Sequence, residues 1–120
     1  MAKAAYASSG SGARTPRATE YEVFARVTRK LAAAHAAGSA GFALVAEAIH
    51  DNRRLWVALA SDVAEPANSL PQGLRAQIFY LAEFTFHQSR RILAGEGEVD
   101  VLIDINTAIM KGLRGRDERG

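Results

Sequence analysis

The stretch FALVAEAIHDNRRLWVALASD, residues 42–62, decides the fold. Stepped at about 100° per residue, Leu44, Val45, Ala48, Leu55, Trp56 and Leu59 gather on one side, with Glu47, Asp51 and Arg54 opposite. That is an amphipathic helix, and Asn52 stands in the middle of its apolar stripe. Residues 99–113 repeat the arrangement, with Val99, Leu102, Ile109, Met110 and Leu113 sharing a face with Asn106. A buried amide without partners costs about 1–3 kcal/mol. Each asparagine therefore either bonds inside the core and sets how the helices meet, or contacts a ligand.

Outward from that stretch, helix signals alternate with breaks. Thr15-Pro16 reads as a helix start, Thr15 capping and Pro16 in the first helical position. Glu20 and Glu22 then lie near the positive end of the dipole. Tyr21, Phe24, Val27, Thr28, Leu31 and His35 form the inward stripe, and Gly38 stops the helix. The Gly38-Ser39-Ala40-Gly41 turn is short enough to bring the second helix back antiparallel. Pro66, Asn68 and Pro71 break the pattern after Asp62, and Pro71 restarts it as a third helix to about Leu93. Gly95-Glu96-Gly97-Glu98 closes that helix, and Asp100 can cap a fourth that ends by Gly112. No segment alternates with period two between hairpin turns. The reading is all-α: a single small bundle of four helices over residues 15–113, behind a flexible tail (1–14) and before a frayed C-terminus (114–120).

The third helix is apolar over most of its circumference. Leu74, Ile78, Leu81, Thr85 and Ile92 make one stripe, while Phe79, Ala82, Phe86 and Leu93 make a second about 100° round. Tyr80 and Phe84 occupy the remaining side. Such a helix is either central to the bundle or shares a face with a partner. Arg75 lies in line with the second stripe, one turn inside the N-terminus, where its charge opposes the dipole. It therefore needs a carboxylate or a backbone carbonyl. Trp56 reads as core or half-buried, its indole N–H at the edge. The partner-binding candidates are Arg75, Phe79, Phe86 and Trp56; the structural polar core is Asn52 and Asn106.

Composition excludes several function classes. The 120 residues are 48% hydrophobic, enough for one modest core, and contain no cysteine for disulfide or thiolate chemistry. A net charge of +2, with arginines dispersed among acids, disfavours nucleic-acid binding along phosphates. Apolar runs such as residues 42–46 fall far below the roughly 20 residues a bilayer span needs. Ala5-Tyr6-Ala7 resembles a signal-peptidase site but lacks the apolar segment of a signal peptide, so a cytoplasmic protein without membrane insertion is expected.

Glu47 and His50 have the i,i+3 spacing used by di-iron bundles, yet they project from the polar side. The other pair, Glu83 and His87, is one residue too far apart. His35, His50 and His87 show no tetrahedral ligand spacing, and neither phosphate loop nor nucleophile elbow occurs. The expectation is a non-enzyme with no catalytic residue, metal or cofactor.

Four strings of sequence carry a further signal: Thr15 to Tyr21 (TPRATEY), Asn52 to Trp56 (NRRLW), Leu70 to Ile78 (LPQGLRAQI) and Ile105 to Leu113 (INTAIMKGL). In this order and spacing they resemble the FlaF family of small flagellar biosynthesis proteins of alphaproteobacteria, over roughly residues 4–113. The resemblance rests on Arg17, Asn52, Trp56, Arg75, Asn106 and Gly112. It implies a factor for flagellin production, opposed in action by the small regulator FlbT, that binds flagellin and acts as an export chaperone. Two other readings stay open: a post-transcriptional regulator acting directly on flagellin mRNA, and a structural adaptor of the export machinery.

The Ser/Gly-rich tail has no apolar stripe to dock. Deleting residues 1–13 is expected to leave the thermal midpoint nearly unchanged; a large drop on truncation would show that the tail packs onto the bundle.

Overall fold

The computed structural model describes residues 16–118, with side chains for residues 21–38 and 41–112. The expected tail, the Thr15 cap and the Leu113 side chain lie outside the described residues. Four α-helices succeed one another: α1 (Pro16–Ala36), α2 (Phe42–Ala64), α3 (Gln72–Leu93) and α4 (Val99–Glu118), with a 3-10 turn, Gly38–Gly41, between the first two. No strand occurs among the described residues.

Local chemistry explains each connection. Gly38 takes φ +65°, a conformation that ends α1 and that side chains resist. Gly95 at φ +80° does the same after α3. There the Gly95 N–H donates to the Ile92 carbonyl (3.0 Å) and the Glu96 N–H to that of Arg91 (2.8 Å), the paired bonds of a Schellman stop. Between α2 and α3, Asn68 turns the chain: its Nδ2 donates to the Asp62 carbonyl (3.0 Å) and its Oδ1 accepts from the Leu70 N–H (3.0 Å).

Three boundaries differ from expectation. α2 continues past Asp62 to Ala64, and α3 begins at Gln72, with Pro71 in its N-cap position. α4 passes through Gly112 and reaches Glu118, so the helix does not stop at Gly112, and residues 119–120 lie outside the described residues. Gly112 keeps a negative φ. A glycine in that state lowers helix propensity by about 1 kcal/mol without forming a cap. Asp100 lies within the first turn of α4 instead of capping it, and its Oδ1 pairs with His35 Nε2 at 2.9 Å.

The helices run antiparallel to their neighbours. α1 packs on both α2 and α4, and α2 packs on α3; the contact between α3 and α4 is thinner. Burial falls into two apolar clusters. The first joins Phe24, Val27, Leu55, Trp56, Leu59, Val63, Ile78 and Ala82, with the Phe24 and Trp56 rings edge to face at 5.7 Å. The second joins Leu31, Ala34, Ala48, Ile49, Ile92, Val99 and Leu102 at the other end of the bundle.

Gly41 is buried where the first turn brings α1 against α2. A Cβ there would lie 2.7 Å from the Ala37 Cβ and 3.1 Å from the Ala34 carbonyl oxygen. Neither neighbour can swing aside without moving backbone. Gly41→Ala is expected to destabilise by about 1–3 kcal/mol. Gly73→Ala, with nothing within 4 Å of the new methyl, should match or exceed the parent in a thermal melt.

Candidate functional site

Between the two apolar clusters lies a layer of buried polar side chains, one from each helix: Thr28, Asn52, Thr85 and Asn106. Trp56 sits against it, fully buried. The Trp56 Nε1–H donates to Asn106 Oδ1 at 2.9 Å. Asn106 Nδ2 then donates to Asn52 Oδ1 (2.8 Å) and to Thr28 Oγ1 (3.1 Å). Thr28 Oγ1 in turn donates to the Phe24 carbonyl at 2.6 Å. An indole can only donate, so the Asn106 amide has one allowed orientation, with its oxygen towards Trp56. These bonds tie α1, α2 and α4 together.

The layer does not bond α3. Arg53 of α2 stands over the Phe86 ring at 5.7 Å, which sets the adjoining Asn52 and Thr85 at the same height. Yet Asn52 Nδ2 and Thr85 Oγ1 are the two buried side-chain polar atoms, among the described residues, without a hydrogen-bond partner. α3 is held instead by apolar contact with α2 and by Arg75. The Arg75 guanidinium donates to the Val63 carbonyl (Nε, 2.8 Å) and the Glu65 carbonyl (Nη2, 2.7 Å). Its charge opposes the dipole of α3 but stands at the negative end of α2, where a cation is favourable. The residue is a clamp on the α2 C-terminus, with its two bonded donors occupied within the fold.

The outer surface is asymmetric. Among the described residues, Phe42, Leu44, Val57, Phe79, Tyr80, Phe84 and Leu93 are the exposed large hydrophobics, and all lie on α2 or α3. Phe79 is 44% exposed, whereas Phe86, two turns along the same line, is half-buried against the first cluster. Of the four partner-binding candidates, only Phe79 presents its ring openly. Trp56 carries its N–H in the core rather than at its edge, so it offers no surface to a partner. Arg53, Val57 and, at the start of α2, Phe42 are exposed as well; their helical positions were visible in the sequence, but not that α3 would leave them uncovered.

Two carboxylates of α2 suited to a metal, one of them the Glu47 of the Glu47–His50 pair, are engaged elsewhere. Glu47 Oε2 accepts from Lys30 Nζ at 3.1 Å, and Asp51 pairs with the same ammonium. These carboxylates hold the Lys30 pKa above its usual value, Asp51 contributing most. Among the described residues no group of three histidines or carboxylates could hold an ion. No helix is long and apolar enough to cross a membrane.

Residues 2–113 match the family described as Flagellar protein FlaF. The chain belongs to the FlaF family. It is therefore a flagellar-related protein, and the family match spans the whole of the polar layer and the exposed α2–α3 surface. No curated protein and no solved structure matches.

The polar layer makes unequal predictions for its members. Asn106→Ala strands Trp56 Nε1 and Asn52 Oδ1, at about 1–3 kcal/mol for each orphaned group, and should lower the denaturation midpoint sharply. Thr85→Val removes a hydroxyl that has no partner and keeps the shape, so its stability should equal or exceed the parent's. Equal destabilisation by both substitutions in urea titrations would refute this assignment of bonds.

Proposed function

We propose that this FlaF-family protein is a non-enzymatic cytoplasmic factor that binds flagellin directly, covers it and promotes its production and export. The supporting observation is the concentration of exposed apolar side chains on α2 and α3, with α2 tied into the hydrogen-bonded core and α3 clamped to it by Arg75. Flagellin terminal segments are amphipathic helices that polymerise through their apolar faces. A client of that kind must be shielded before assembly, and a helix laid along an apolar groove does so. The functional link to FlbT belongs to the same reading.

The rival, direct action on flagellin mRNA, would need a basic or aromatic platform. Here acids are interspersed with the arginines and the sole tryptophan is buried. Purified protein and monomeric flagellin should co-elute as a soluble complex that withstands nuclease and moderate salt. Association abolished by nuclease, or falling steeply with salt, would instead favour the RNA-binding activity.

A further inference from the structure

Of the seven exposed large hydrophobics, four fall on two helical lines, while Leu44, Tyr80 and Phe84 stand on other faces. On α2, Phe42, Arg53 and Val57 lie along one helical line; on α3, Phe79, Phe86, Arg90 and Leu93 lie along another. The Arg53–Phe86 contact shows that the two lines border the same seam. Phe42 (60% exposed), Val57, Phe79 and Leu93 leave its walls apolar and open to solvent. On α1 and α4 no described large hydrophobic is exposed to the same degree.

Charge along the seam is predominantly basic. Arg53 and Arg90 are exposed beside the apolar residues, with Glu83 the one acid on the same stretch of α3. Of the three acids of α2, Glu47 and Asp51 are turned to the α1 side and taken up by Lys30, and Asp62 lies near the C-terminal end of the helix. A helix docking here therefore meets an apolar floor flanked by guanidinium groups.

We propose that the α2–α3 seam is the client groove and that it selects an amphipathic helix carrying acidic side chains along the edge of its apolar stripe. This rests on the flagellin-binding reading and specifies which surface does the binding and by what chemistry. Apolar contact supplies the hold; the arginines set orientation and exclude helices with basic edges.

The test uses the full chain and purified monomeric flagellin, with affinity measured by calorimetry at two salt concentrations and folding followed by thermal melts. Phe79→Ser, Arg53→Glu and Arg90→Glu should each weaken binding about tenfold, equivalent to about 1.4 kcal/mol, while the melts stay close to the parent's. The charge reversals should also abolish the few-fold loss of affinity that the parent shows on raising salt. Arg29→Glu, on α1, should bind as the parent does. Parent-like affinity in all three seam variants would overturn the groove while leaving flagellin binding intact. Absence of binding by the parent itself would overturn that reading and the groove with it.

Discussion

The Asn106 amide is the constraint on which the bundle depends. Its carbonyl oxygen accepts from Trp56, and its two N–H groups reach Asn52 and Thr28, so one side chain bonds two other helices. Apolar packing alone would let α4 slide or rotate against α1, because leucine and isoleucine surfaces tolerate many registers. A directional network in a dry interior does not, since any shift leaves a buried donor or acceptor unpaired. The two apolar clusters on either side supply the favourable burial; the layer between them selects one arrangement.

That arrangement divides labour among the helices. α1, α2 and α4 are cross-linked by hydrogen bonds, whereas α3 is attached through apolar contact and through a guanidinium on the last carbonyls of α2. The clamp and the seam thus involve the same pair of helices. Arg75 fixes one end of the α2–α3 contact, and the exposed surface begins one turn later at Phe79. Exposed apolar surface and internal bracing are contributed by residues close in sequence that face different surroundings.

Helical periodicity was sufficient to read four helices, their short connections and the two amide-bearing stripes. The need of Arg75 for a carboxylate or a backbone carbonyl was equally legible, because it arises from its place at a helix N-terminus. The partners themselves were not. The Trp56–Asn106 bond joins residues 50 positions apart, and nothing local in either helix announces that match of donor and acceptor. Phe79 and Phe86 illustrate the same limit, since they stand on one helical line. What separates them is the neighbour across the seam, Arg53 over one ring and solvent over the other. Gly112 looked like a stop because glycine so often ends helices. Only a positive φ makes it one, and that depends on whether the residues beyond it continue the helix.

The buried indole has a spectroscopic consequence. Trp56 is the chain's single tryptophan, so native tryptophan fluorescence reports on one ring in one environment. That ring lies at the junction of α1, α2 and α4, and its N–H reaches Asn106, which arrives in the chain long after it. Until α4 docks, no described partner replaces that acceptor, and the ring experiences a wetter, differently hydrogen-bonded surrounding. Emission therefore times the closure of a long chain segment, the step with the largest loop entropy to overcome. The pairing of α2 with α3 spans fewer residues and leaves the indole's acceptor unchanged. The same molecule thus separates, in its own light, the late sealing of its core from the local assembly of its outer surface.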